Sequence, residues 1–158
     1  MLYTTTDSPI GDLMLVGDER ALRGLYMTPH PSPPADWRSV SEPFAAAREQ
    51  LAQYFAGERH DFALPLELAG TPFQQRVWEA LGTIPYGETR SYGQIAHQIG
   101  RPDRARAVGT ANGSNPISIV VPCHRVIGAD GSLTGYGGGL DRKRYLLDLE
   151  AGVLSLTA

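Results

Sequence analysis

Apolar and polar positions alternate near the start of the chain and then change period. Leu2, Thr4 and Thr6 lead into the turn signal Ser8-Pro9-Ile10-Gly11-Asp12. Leu13–Val16, a Gly17-Asp18 turn and the run 22–27 follow. A two-residue period broken by Gly, Pro and Asp predicts a small antiparallel meander. The four prolines between 28 and 36 predict a surface loop. From Glu42 to Phe55 the apolar positions 44, 47, 51, 54 and 55 form a helical stripe, closed by Gly57.

Around 64–72 (LPLELAGTP) the pattern shifts, so we expect domains at 1–70 and 71–158. Thr71-Pro72 supplies a helix N-cap with proline at the first helical position. Phe73, Val77, Trp78 and Leu81 then give an apolar face as far as Gly82. Ser91-Tyr-Gly-Gln94 has the form of a capping box, opening a short helix that Gly100 stops. A second short helix starts near Arg104, and the pair resembles a helix-turn-helix. The second helix carries Ala, Ala, Gly and Ala at 105, 107, 109 and 111, too bare to read base edges but suited to close approach to a backbone. Ile117–Val121 reads as a buried strand, and 140–150 as a closing helix. The expected fold class is α+β: an α/β N-terminal domain with a small antiparallel sheet, then a mainly helical domain with the helix-turn-helix.

Composition narrows the function. The 158 residues are 42% apolar and 20% charged, with a mean hydropathy of -0.22 and no apolar run near the length of a membrane span. The opening lacks a basic stretch followed by an apolar core, so no secretory signal is expected. A lone cysteine, Cys123, excludes an intrachain disulfide and a multi-thiolate zinc site. The expected address is therefore a reducing, cytoplasmic one. Histidines 30, 60, 97 and 124 show no metal-ligand spacing, so no metal is expected. The net charge of -3 hides an asymmetry: residues 1–70 carry -5, 71–158 carry +2, and 86–125 carry +3. That distribution allows one local basic face.

The chemistry concentrates in Pro122-Cys123-His124-Arg125-Val126. A cationic neighbourhood and a hydrogen-bonded imidazole both lower a thiol pKa. A drop of two or three units would make thiolate dominant, worth roughly 3–4 kcal/mol. Neighbouring residues on a strand face opposite ways, so Cys123 and His124 can cooperate only in a turn or through a water. The imidazole also needs an orienting group. Asp148 and Glu150 on the closing helix are both candidates, and residue chemistry does not choose between them. Gly135-Tyr-Gly-Gly-Gly139 is either a linker or a pocket wall, and it lacks the pattern of a phosphate-binding loop.

The string Ile119-Val-Val-Pro-Cys-His-Arg-Val126 resembles the active-site signature of the O6-alkylguanine-DNA alkyltransferases. Phe73-Gln-Gln-Arg-Val-Trp78, Ile84-Pro-Tyr-Gly-Glu-Thr89, Ser91-Tyr92, Ala105-Arg-Ala-Val-Gly109, Asn115-Pro116 and 135–139 follow the family's order and spacing. The first 70 residues fit the family's variable domain by general pattern only. The resemblance implies direct DNA repair. An O6-alkylguanine, with O4-alkylthymine as a second candidate, is flipped out of a duplex, and its alkyl group moves irreversibly to the protein's own cysteine.

By position, the resemblance makes Cys123 the acceptor, His124 its polarising base through a water, and Glu150 the carboxylate behind the histidine. Tyr92 becomes the donor to the departing guanine, and Asn115 the hinge from recognition helix to active-site segment. Backbone groups at Cys123, Val126 and Gly137 contact the guanine edge, with Tyr136 on the pocket wall; Arg106 fills the space the flipped nucleotide leaves. Arg101, Tyr92 and Gly93 also face DNA. Gly137 stands where some relatives carry serine, and the zinc of some relatives is not expected here. The resemblance implies no cofactor, no membrane and no obligate protein partner, so a monomer is expected.

Three other classes are distinguishable. A lesion sensor would lack the cysteine. A cysteine hydrolase would turn over repeatedly and draws its base from elsewhere in the chain. A transcriptional regulator needs a helix richer in base-reading side chains.

Overall fold

The computed structural model describes residues 1–153. The three alternating segments form β1 (Leu2–Thr6), β2 (Leu13–Gly17) and β3 (Leu22–Met27), paired antiparallel as the period required. All five residues of β2 are buried. A fourth strand, β4 (Arg38–Ser39), lies parallel to β1, giving the order β3-β2-β1-β4. The sheet is therefore mixed rather than purely antiparallel. Two exposed residues carry no alternation; backbone bonds from Arg38 to Met1 and from Val40 to Tyr3, 3.1 and 3.0 Å, define this edge. A 3₁₀ turn at Glu42–Phe44 leads into α1 (Ala45–Phe55), and the stripe Phe44, Ala47, Leu51, Tyr54 and Phe55 is buried.

The chain divides into two compact units. One comprises Met1–Ala69 with Pro116–Val120, the other Gly70–Asn115 with the chain from Val121 onward. The segment expected as a strand at 117–121 is not a continuous strand. Ile117 bridges Leu25, whose amide donates to the Pro116 carbonyl at 2.8 Å. Ile119 then takes φ +73°, and the Val120 amide bonds back to the Ser118 carbonyl at 2.9 Å. This γ-turn, sparsely populated for a β-branched residue, ends any extended run. Burial alone made the segment look like a strand: Ile117, Ile119 and Val121 are all inside.

In the second unit, α2 (Pro72–Leu81) starts with the capping box of Thr71 and Gln74. β5 (Arg90–Ser91) leads directly into α3 (Tyr92–Gln98), capped by the reciprocal bonds of Ser91 and Gln94. Gly100, at φ +76°, turns the chain toward α4 (Ala105–Gly113). Ile95, Ala96 and Val108 are fully buried, and the Trp78 indole N–H donates to the Ala111 carbonyl at 2.9 Å, pinning α4 against α2. β6 (Val126–Ile127) pairs parallel with β5, and α5 (Leu140–Glu150) closes the described chain. No helix among the described residues is long and apolar enough to cross a membrane.

Candidate active site

Pro122 sits at φ -82°, ψ 65°, and the Cys123 amide bonds to the Val121 carbonyl at 2.8 Å. This is an inverse γ-turn, whose φ the pyrrolidine ring presets. It swings the chain into a 3₁₀ turn at Cys123–Arg125, with all three side chains buried. A turn is the arrangement in which adjacent cysteine and histidine can act together, and Cys123 is only 4% exposed.

His124 is fully buried, with Nε2 2.6 Å from Oε2 of Glu150. The choice left open on α5 thus falls to Glu150, while Asp148 faces Arg144 at 3.8 Å. Arg125 holds the same carboxylate with two prongs, Nε to Oε1 at 2.7 Å and Nη2 to Oε2 at 3.0 Å. Its Nη1 donates to the Ile84 carbonyl at 2.7 Å, and its guanidinium stands 5.7 Å from the Tyr86 ring centroid. That seat accounts for part of the 84–89 motif. Gly87 belongs there too: it has φ +81°, and a Cβ would come within 3.4 Å of the Glu150 carbonyl.

The electrostatics give each group a protonation state. Burial would raise the Glu150 pKa, but bonds and charges from His124 and Arg125 outweigh it and bring it down to about 2. Burial pushes the His124 pKa below its ordinary 6.5. The bond to Glu150 opposes this, and the Arg125 and Lys143 charges reinforce it. We take the carboxylate as charged and the imidazole as neutral. Neutral His124 then donates through Nε2–H, leaving Nδ1 as an acceptor. Nδ1 is buried with no hydrogen-bond partner among the described residues. A thiol proton moving toward Nδ1 would form an imidazolium already faced by a carboxylate.

Two asparagines at the end of α4 hold the cysteine segment. Asn115 Nδ2 donates to the Val121 carbonyl at 2.8 Å, which clips the neck of the 116–120 excursion. Asn112, 1% exposed, donates to the Cys123 carbonyl at 3.3 Å. Asn112 carried no sequence expectation, although it shares an i, i+3 relation with Asn115. Val126 is fully buried in β6.

Lys143 was also missed, hidden in the charged run Arg142-Lys-Arg144. It is fully buried, and Nζ donates to the carbonyls of Val126 at 2.6 Å and Thr134 at 2.8 Å. Burial lowers its pKa, and negative charge on the nearby Cys123 would oppose that shift. The usable signal was the helical stripe 143, 146, 149, 150, in which every residue is buried.

Tyr92 begins α3, and its hydroxyl lies 3.1 Å from the Thr134 carbonyl and 3.2 Å from Thr134 Oγ1. A Cβ on Gly109 of α4 would stand 3.6 Å from the Tyr92 ring. Tyr136 is half-buried and Gly137 exposed, with nothing within 4 Å of the position a Cβ would take at 137. The position therefore has room for a side chain. Gly93 is exposed on α3 and Arg106 on α4, while Arg101 is half-buried between the helices. Among the described residues, no group of three or more His, Cys, Asp or Glu side chains could hold a metal ion.

Fold and site together define a protein that carries a buried thiol, imidazole and carboxylate on a helix-turn-helix unit. The DNA-binding-domain model of 6-O-methylguanine DNA methyltransferase matches residues 72–152, and that enzyme's ribonuclease-like-domain model matches 1–68. The chain is 61% identical over 150 residues to a methylated-DNA–protein-cysteine methyltransferase of Mycolicibacterium paratuberculosis, covering 94% of this chain and 91% of that one. It is 45% identical over 157 residues to the constitutive methylated-DNA–protein-cysteine methyltransferase of Bacillus subtilis, covering 94% of each. The crystal structure of Mycobacterium tuberculosis OGT in complex with DNA matches with a TM-score of 0.93 at 57% identity, covering 99% of this chain and 96% of that one. The chain belongs to the 6-O-methylguanine DNA methyltransferase family of enzymes.

Proposed function

We propose that the protein repairs O6-alkylguanine in double-stranded DNA by taking the alkyl group onto Cys123, once per molecule and without a cofactor. The observation that carries this reading is the buried Cys123–His124–Glu150 array, supported on one side by Arg125 and joined to α4 through Asn112 and Asn115. The sulfur of Cys123 attacks the alkyl carbon, and the carbon–O6 bond breaks with its electron pair leaving on the guanine. The thiol proton passes to His124, and Tyr92 supplies the proton that lets guanine depart neutral. The imidazolium then releases its proton to solvent and the Tyr92 phenolate takes one up, so that in net terms one thiol hydrogen has moved to the base and a stable thioether remains.

The base reaches the pocket by flipping, which costs a few kcal/mol and less for a mispaired lesion. Arg106, on the bare face of α4, takes the place of the flipped nucleotide; Arg101 and Gly93 approach the backbone. Backbone groups at Cys123, Val126 and Gly137 meet the base edge, with Tyr136 on the pocket wall. O4-alkylthymine fits the same chemistry as a second substrate. We place the protein in the cytoplasm as a monomer, where a lone thiol stays reduced.

The deciding experiment is intact-protein and peptide mass after mixing with a slight excess of O6-methylguanine duplex. One added methyl on the Cys123 peptide, with reaction stopping at one equivalent, is the expected result. Unmodified protein that still binds the lesion duplex would make it a sensor, and repeated turnover would make it a hydrolase. The Arg106→Ala variant should lose about tenfold or more in rate on duplex, the share of the flipping cost it offsets, while reacting with free O6-benzylguanine within about twofold of the parent. Equal losses on both substrates would remove Arg106 from the flipping step.

A further inference from the structure

We infer that Thr134 is a positioning residue for Tyr92, setting its hydroxyl as the proton donor to the departing base. The inference rests on the reading of Tyr92 given above. Thr134 offers that hydroxyl two groups: its carbonyl at 3.1 Å and its Oγ1 at 3.2 Å. The carbonyl is a fixed point, because the ammonium of Lys143 also bonds it at 2.8 Å and is itself tied to the Val126 carbonyl at 2.6 Å. Lys143 is fully buried, so this anchor does not depend on solvent. The Tyr92 ring lies beside Gly109 and its hydroxyl beside Gly135: a Cβ added at either glycine would stand 3.6 Å from the nearest Tyr92 atom. The partners of its hydroxyl are thus both on Thr134.

The pairing also bears on the proton transfer itself. A tyrosine hydroxyl has an ordinary pKa near 10 and is a weak acid at neutral pH. While its proton points at the Thr134 carbonyl, the phenol oxygen is free to accept from the Thr134 hydroxyl. When the proton turns to the guanine, that hydroxyl still donates to the oxygen on which negative charge grows. A hydrogen bond that strengthens as charge develops lowers the barrier rather than tightening ground-state binding. The carbonyl cannot do this, since it has no proton to give.

Thr134→Val deletes the hydroxyl while keeping shape and backbone, and Thr134→Ser restores the hydroxyl. Single-turnover methyl transfer from O6-methylguanine duplex at saturating protein should slow about three- to tenfold in the valine variant, the worth of one ordinary hydrogen bond, and recover in the serine variant. Alkylation of Cys123 by iodoacetamide expels iodide and needs no proton donor, so all three proteins should react at rates within about twofold. In a Tyr92→Phe background, Thr134→Val should cost nothing more. Equal transfer rates for parent and valine variant would overturn the inference, as would a parallel loss with iodoacetamide, which marks a general disturbance of the site. A parent protein that accepts no methyl group at all would instead overturn the proposed function.

Discussion

Cys123→Ala accepts no methyl group from O6-methylguanine duplex, yet binds that duplex within about threefold of the parent protein, less than 1 kcal/mol. The acceptor is a single atom, and the chain has no second cysteine to replace it. Cys123 lies in a buried 3₁₀ turn held by Asn112 and by the inverse γ-turn at Pro122, so truncation removes one sulfur and leaves the backbone bonds in place. The cavity is small, costing about 1 kcal/mol. In the proposed function DNA contact belongs to other residues, on α3 and α4, where Gly93 and Arg106 are exposed. Intact mass and a gel-shift titration on one preparation check both halves. Residual methyl uptake would show a second acceptor; lost binding in a folded variant would place Cys123 in the DNA interface instead.

Glu150→Ala destabilises the protein by about 3–5 kcal/mol, the usual cost of leaving a buried charge without its partner. The carboxylate accepts from both Arg125 and His124, and its side chain is 1% exposed. Its removal strands a guanidinium that is 7% exposed. The thermal midpoint should fall by about 10 °C. Methyl transfer should slow as well, because nothing then balances the imidazolium. Glu150→Gln, which keeps an acceptor but no charge, should fall between alanine and the parent. A loss under about 2 °C would show that the array contributes little to the fold.

The same array sets the acid limit of the parent protein. Glu150 binds its proton more weakly folded, at about 2, than unfolded, at 4.5. Its contribution, roughly 3 kcal/mol, is complete above about 4.5 and disappears as pH falls toward 2. His124 is also depressed, from 6.5, so the unfolded chain takes up its proton first as pH drops below that value. Both groups weaken the fold in the same direction. Denaturant midpoints measured from pH 7 to 3 should decline steadily in the parent, whereas Glu150→Gln should keep the part of the decline below 6.5 that belongs to His124 and lose the part below about 4.5.

Local codes were legible and long-range ones were not. Both capping boxes could be read because Thr71 with Gln74, and Ser91 with Gln94, lie three residues apart and act on their own backbone. The helix-turn-helix followed from those starts and from Gly100. The carboxylate partner of His124 was a different problem: Glu150 and Asp148 sit two positions apart on one helix, and only the rotation of α5 separates them. Lys143 carried no sequence expectation, and Arg125 read only as positive charge beside the thiol, because their acceptors, the carbonyls of Val126, Thr134 and Ile84 and the Glu150 carboxylate, are not their sequence neighbours. The strand expected at 117–121 failed where a backbone torsion at Ile119 overrode a pattern that recorded burial alone.

The excursion at Pro116–Val120 also imposes an order on synthesis. Ile117 and Ile119 complete the interior of a unit that otherwise ends at Ala69, and the Leu25 amide finds its acceptor at Pro116. A ribosome that has released only the first 69 residues has delivered an N-terminal unit with two interior side chains and one backbone acceptor still missing. That unit reaches its final form only after residue 120 leaves the exit tunnel, by which point α2, α3 and α4 have already been made. Completion of the first unit thus waits until much of the second has been made, rather than preceding it.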